Sequence, residues 1–331
     1  MTLIDSLQRR LTREPRLRMS HLAGLGDAAP DRLRLLLAVG RSGTTWISRV
    51  LASGSEPCRY LSEPLYKLQP AMRMSKFPDR VAMPHDPDPR RLNLLLAAYR
   101  GMTTPAGHRD LQVRHGIVRD DDAWSYCLVK EVHALLATEP LLEALKPPAV
   151  GIVRDPLYVA DSILDLHGLN NTYLAAERAW MSRGGFGDRY LPGGEAAWKS
   201  AMGAAKRCEP RARVIAELAA TIAAINHMLI RLAESQPNLR VFRYEAVCRD
   251  PARAFPELAE ALDVAWTEGH RGFLDQNLAK PADGQPYSIQ RDTSAQAERS
   301  LRLVTPAEAD TVRDLLQKAG LATPERCRLA A

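Results

Sequence analysis

The sequence predicts an α/β fold in three layers, a central parallel sheet flanked by helices. Short continuous apolar runs, at 35–39 and 149–153 above all, read as strands buried on both faces. Each is followed by a helical stretch rather than a second strand, and that alternation builds a parallel sheet through helical crossovers. A third pattern marks a site. The first run ends in Gly40-Arg41-Ser42-Gly43-Thr44-Thr45-Trp46, a tight turn that brings backbone N–H groups and a helix N-terminus toward an anion.

In chain order, residues 1–30 read as a helical lead-in ending in the loose segment GLGDAAPD. Strand 35–39, the glycine turn and a helix through 51 follow, then a short strand at 59–61 running into Ser62-Glu63-Pro64. Residues 69–122 change character, with five prolines between Pro70 and Pro89, and read as an insertion beside the sheet. Alternation resumes with a strand at 126–129 ending in Lys130-Glu131, a helix at 135–145 and the strand at 149–153. Asp155-Pro156 is an N-cap followed by a first-turn proline, so a helix runs from 156 to about 166. Residues 168–200 read as loops and short helices, 213–233 as a long amphipathic helix, and 239–242 as a strand. A helix opens at Asp250-Pro251 by the same capping logic. Residues 265–300 read as polar and irregular, and Thr305-Pro306-Ala307-Glu308 is a capping box that opens the last helix. The whole chain, 1–331, reads as one domain, with 265–331 as its C-terminal loop and helix.

Composition narrows the function classes. Of 331 residues, 45 are Lys or Arg and 39 are Asp or Glu, a net charge of +6 without a long basic block. That balance argues against a nucleic-acid partner and suits a small polyanionic ligand. Cys58, Cys127, Cys208, Cys248 and Cys327 show neither CxxC pairing nor histidines at metal spacing, so reduced thiols and no metal site are expected. No uncharged apolar run approaches the roughly 18 residues of a membrane span. The expectation is a cytoplasmic chain. Leu3, Ile4, Leu7 and Leu11 form an apolar stripe among arginines, a pattern compatible with peripheral membrane contact as well as with packing on the protein itself. Oligomeric state is not readable.

The loop does not meet the Walker A pattern GxxxxGK[ST]: its glycines are too close together and no lysine follows the second. It stays P-loop-like in its strand, turn and helix order. GRSGTTW resembles the 5′-phosphosulfate loop of the sulfotransferases that use 3′-phosphoadenosine 5′-phosphosulfate. Arg154 at a strand end with Ser162 on the next helix is similar to that family's 3′-phosphate segment. Arg243-Tyr244-Glu245 before Asp250-Pro251 is similar to its tyrosine-acid pair. The resemblance implies that Gly40, Arg41, Ser42, Gly43, Thr44 and Thr45 hold the sulfate-bearing end of the donor. It implies that Arg154 and Ser162 hold the 3′ phosphate, Tyr244 lines the nucleotide site, and 3′,5′-adenosine diphosphate is the product. Trp46 is placed to stack on adenine, with a core position as the alternative. No metal is implied.

Sulfuryl transfer needs stabilisation of the leaving oxygen and a base for the acceptor hydroxyl. Arg41 suits the first role, as a fixed charge more than a proton donor. Glu63 resembles the glutamate base of the carbohydrate and tyrosine sulfotransferases. His133 is the rival, but it lies one residue out of register with the aryl enzymes' lysine–histidine spacing, and in extended chain that shift turns a side chain to the opposite face. Glu63 is preferred for that reason, and Lys130 is placed to contact the transferring group. The family's Arg-Lys-Gly triplet that closes over the 3′ phosphate is absent from this sequence, and Arg271-Gly272 or Arg291 would substitute for it. His108, His115, Trp180, Arg183, Trp198 and Lys199 are acceptor-side residues by location only, and the acceptor itself is read as a small-molecule or glycan hydroxyl. The alternatives are a P-loop-like nucleotide kinase and a non-catalytic nucleotide-binding module.

Overall fold

The computed structural model describes residues 32–63, 125–169, 172–183, 185–278 and 300–322. The expected lead-in at 1–30 and insertion at 69–122, with His108, His115, Arg291 and Cys327, lie outside the described residues.

Five strands form one sheet: β1 (Leu33–Ala38), β2 (Cys58–Ser62), β3 (Tyr126–Glu131), β4 (Ala149–Val153) and β5 (Leu239–Arg243). Their order is β2-β3-β1-β4-β5, and every pair is parallel. The predicted α/β fold is therefore observed, with β1 at the centre. All of β1 and β4 is buried, as continuous apolar runs require when both faces are covered. Alternate residues serve opposite faces. Leu33, Leu35 and Leu37 pack with one cluster that includes Ile222 and Leu229, while Leu36 and Ala38 pack with another that includes Ile47 and Phe255.

Helices follow the strands. The helix α1 (Thr44–Leu51) follows β1; after β3 come a 3₁₀ turn at Leu135–Ala137 and α2 (Thr138–Leu145). The helix α3 (Pro156–His167) follows β4, and its N-cap Asp155 accepts from the Leu157 N–H at 2.8 Å. Residues 168–200, read as loops and short helices, are mostly helical: α4 (Ala175–Met181), α5 (Phe186–Tyr190) and the start of α6 (Gly194–Lys206). The long helix α7 (Pro210–Ser235) starts earlier than expected, because Pro210 in the first turn needs no N–H partner. It is long and apolar enough to cross a bilayer, but 78% of that apolar stretch is buried inside the protein, where it covers one face of the sheet. After β5 come α8 (Tyr244–Arg249), α9 (Pro251–Ala261), α10 (Glu268–Leu278) and α11 (Pro306–Lys318), the last with its full capping box.

Helix α10 corrects the expectation of irregular chain after residue 265. Its buried side chains are His270, Leu274 and Asn277, spaced as one helical face but mostly polar, so no apolar stripe announced it. His270 is fully buried beneath α1: Nδ1 accepts from the Thr267 N–H at 3.1 Å, which leaves Nε2 to donate to the Leu51 carbonyl at 3.2 Å.

A parallel sheet brings all strand C-termini to one edge, where ligands of open α/β sheets bind. That edge carries Gly40 to Gly43 after β1, Glu63 after β2, Lys130 to His133 around the end of β3, Arg154 after β4 and Tyr244 after β5.

Candidate active site

The turn after β1 is held in strain. Arg41 has φ 74° and Gly43 φ 83°, so two residues of the turn are left-handed and one of them is not glycine. At Arg41 that conformation costs about 1–3 kcal/mol and persists only where its surroundings enforce it. Here Arg154 enforces it: its Nη1 donates to the Arg41 carbonyl at 2.8 Å while its guanidinium lies 4.5 Å from the centre of the Tyr244 ring. That ring also lies under Gly43, where a Cβ would come within 2.0 Å of it. Gly43 is thus required twice, by its φ and by Tyr244. It is the N-cap of α1 and supplies no side-chain cap, and the first turn has no acidic residue. The turn therefore directs uncapped amides and the positive end of α1 outward.

The Arg41 side chain crosses to α3 and donates from Nε to Ser162 Oγ at 3.0 Å. Arg41, Arg154 and Ser162 thus form one cluster. Sequence reasoning set Arg41 and the Arg154–Ser162 pair at opposite ends of a nucleotide, whereas the chain ties them directly. Arg154 is only 5% exposed, and its visible work is to hold the turn. Behind it, Asn226 donates to the Arg154 carbonyl at 2.8 Å and Glu245 accepts from the Asp155 N–H at 2.9 Å, fixing the end of β4 against α7 and α8.

A second array meets the first at Thr45. Lys130 Nζ lies 3.4 Å from Thr45 Oγ1 and 2.6 Å from Glu63 Oε1, and Glu63 Oε2 lies 3.3 Å from His133 Nε2. Glu63 has φ 53°, a second strained non-glycine residue in the site, and its N–H donates to the Lys130 carbonyl at 2.7 Å. Burial pushes the Glu63 carboxyl up, but the hydrogen bond with His133 and the charge of Lys130 outweigh it and hold the carboxyl well below the usual carboxylate range. Burial pulls Lys130 down, yet Tyr60 and Glu63 together leave it above the usual lysine value. Both members of the pair are therefore charged at neutral pH. Lys130 and His133 side chains are 4% and 12% exposed, and Glu63 at 27% is the most open of the three.

The position of His133 corrects the face argument. Glu131 is fully buried, and its Oε1 accepts from the N–H groups of both Val132 and His133, at 2.9 and 2.6 Å. That bond pattern folds the chain into a turn directly after β3, so strand alternation no longer applies and His133 comes to Glu63. Burial raises the Glu131 carboxyl pKa.

Two further expectations change. Trp46 is fully buried, edge-on to Phe255 with ring centres 5.0 Å apart, and so presents no face to adenine. The structural reason is its place on the inner face of α1. Arg271-Gly272 lies on α10, which packs at the far end of α1 beside residues 53–55, so it does not close over the turn. Among the residues read as acceptor-side, Trp198 is buried with Nε1 bonded to Ser182 Oγ at 3.1 Å, a tie between α6 and the end of α4. Sequence reasoning missed Glu131. For Glu131 a signal existed: it shares the core-facing parity of Cys127 and Val129. Cys58, Cys127, Cys208 and Cys248 are free thiols, and among the described residues no three His, Cys, Asp or Glu side chains cluster as a metal site.

Neither a protein-family model nor a curated protein sequence matches the chain. Solved structures similar to it include the sulfotransferase STF9 from Mycobacterium avium, at 14% identity over 95% of this chain and 83% of that one, TM-score 0.41. Mouse sulfotransferase SULT7A1 complexed with PAP is another, at 11% identity over 93% and 91%, TM-score 0.39. A sulfotransferase from Alicyclobacillus acidocaldarius matches at 13% identity over 87% and 96%, TM-score 0.36. Likeness at this level says nothing of what this chain's side chains do.

Proposed function

We propose that the chain is a sulfotransferase, moving a sulfuryl group from 3′-phosphoadenosine 5′-phosphosulfate to an acceptor hydroxyl on a glycan or small metabolite. One observation carries the reading: an anion cradle built on strained Arg41 meets a lysine–glutamate–histidine array through the contact between Thr45 and Lys130.

The residues fit a nucleotide with anionic groups at both its 5′ and its 3′ positions. Uncapped amides of α1, Thr44, Thr45 and Arg41 would hold its 5′ end, and Ser162, once Arg41 turns from it toward the donor, would hold its 3′ phosphate with the remaining N–H groups of Arg154. When bound, the donor supplies the sulfuryl group and a leaving oxygen on which negative charge grows. Arg41 stabilises that oxygen as a fixed charge, without giving up a proton. Lys130 has three N–H donors, and the one not directed at Glu63 or Thr45 faces the transferring group in this reading. Turning Lys130 toward the donor weakens its hold on Glu63 and raises that carboxylate's proton affinity. Glu63 then takes the acceptor proton, with His133 orienting it through the other oxygen.

Turnover of ³⁵S-labelled donor, with phenols, methyl glycosides or water as acceptor, tests the assignment. Glu63→Gln should lose roughly 10²–10⁴-fold in turnover while still binding 3′,5′-adenosine diphosphate. A silent Glu63→Gln alongside an inactive His133→Asn would move the base to His133.

A further inference from the structure

Tyr173 stands over the first glycine of the turn, although nothing in its sequence context announces it. The point where a Gly40 Cβ would sit lies 1.9 Å from the Tyr173 hydroxyl oxygen and 4.0 Å from Val132 Cγ2. The hydroxyl therefore lies against the turn after β1, and Val132, beside His133, borders the same point. Gly40 has no left-handed φ to demand glycine, so the close approach of this hydroxyl is what a side chain there would obstruct.

Two other features fix the side chain in that place. The next residue, Leu174, has φ 60° although it is a bulky residue, and its own side chain is 1% exposed in the core. Chain that bends so sharply on an anchored leucine delivers Tyr173 to Gly40 in a defined direction. On the other side, the Tyr173 ring stacks with His167 at the end of α3, ring centres 5.3 Å apart and planes 21° from parallel. Helix α3 is also the helix of Ser162, so the same element sets both Tyr173 and the partner of Arg41.

We propose that Tyr173 belongs to the reacting site as an acceptor-orienting residue, its hydroxyl hydrogen-bonding the acceptor oxygen whose own proton goes to Glu63. This rests on the sulfotransferase reading. A phenol hydroxyl can donate to the acceptor oxygen's lone pair while leaving that oxygen's proton directed at the carboxylate. Its place against the first glycine of the turn, next to the segment of Val132 and His133, suits alignment of the incoming oxygen more than grip on the nucleotide.

Tyr173→Phe removes only the hydroxyl. Thermal melting should match the wild type, and 3′,5′-adenosine diphosphate should bind within about twofold of it. Turnover of ³⁵S-labelled donor is read with a panel of phenols and methyl glycosides and, without added acceptor, as sulfate released to water. In whichever transfer the wild type performs, kcat/KM should fall about 10-fold, the size of one lost hydrogen bond. Unchanged turnover would overturn the proposal, as would a loss mirrored by an equal loss of nucleotide affinity or a lowered melting temperature. If the wild type binds no 3′,5′-adenosine diphosphate, the sulfotransferase reading fails and this inference with it. If binding holds and Tyr173→Phe is silent, only the inference fails.

Discussion

Gly43→Ala isolates the way the loop is held. Two costs are readable from the geometry. The φ of 83° puts an L-residue in the left-handed region, worth about 1–2 kcal/mol. The added Cβ would meet the Tyr244 ring at 2.0, 2.7 and 2.8 Å, and such overpacking of a closed core costs about 1–3 kcal/mol. Together the loss is about 2–5 kcal/mol, a fall in melting temperature of roughly 3–7 °C for a chain of this size. The strain has a direction. A displaced Tyr244 ring moves the Arg154 guanidinium stacked on it, and with it the donor to the Arg41 carbonyl, so 3′,5′-adenosine diphosphate affinity should fall as well. Denaturant unfolding of Gly43→Ala in wild-type and Tyr244→Ala backgrounds separates the two costs. Without the ring, only the φ penalty of about 1–2 kcal/mol should remain. A cost below about 0.5 kcal/mol in the wild-type background, or equal costs in both, would refute the account of how Tyr244 supports the loop.

Two other outcomes are expected. Arg154→Lys keeps a charge but loses the planar stack on Tyr244 and the aimed N–H to Arg41; nucleotide affinity and turnover should therefore fall together. Calorimetry beside kinetics checks this, and a loss confined to one of the two would contradict a loop-holding role. Burial lowers the pKa of both His270 and His227. A lowered folded pKa means that the unfolded chain takes up protons first as pH falls. The stability these residues contribute is therefore present above about pH 6.5 and is lost below it as pH approaches their lowered values. In His270→Asn, which keeps an acceptor for the Thr267 N–H, the slope of unfolding free energy between pH 7 and 5 should shrink by up to about 1.4 kcal/mol per pH unit. An unchanged slope would mean that His270 charges without cost.

The residues that follow strands were legible in the sequence. Arg41, Glu63, Lys130 and Arg154 each stand at or just after a short apolar run, and a parallel sheet brings such positions to one edge whatever the helices do. What each residue touches was not legible. The bond between Arg41 and Ser162 and the ion pair between Lys130 and Glu63 join positions 121 and 67 residues apart, and nothing in local sequence sets such partners. His133 was misjudged because strand periodicity was carried one turn too far, past the point where Glu131 bends the chain. Trp46 and α10 went wrong for opposite reasons. A tryptophan beside a phosphate loop invites a ligand role but was needed for the core, and α10 buries a histidine and an asparagine that look like solvent-facing residues. Tyr173 depends on an anchored left-handed leucine, which no propensity rule anticipates.

Calorimetric titration of the full chain with 3′,5′-adenosine diphosphate, beside a matched titration with ATP, separates a phosphosulfate-donor site from a nucleoside-triphosphate site. Saturable binding of the diphosphate at least about 10-fold tighter than ATP is expected if Ser162 and Arg154 take the 3′ phosphate as proposed, since ATP lacks one; about 1.4 kcal/mol of preference suffices for that ratio. Binding of ATP alone, or of neither nucleotide, would contradict the sulfotransferase reading.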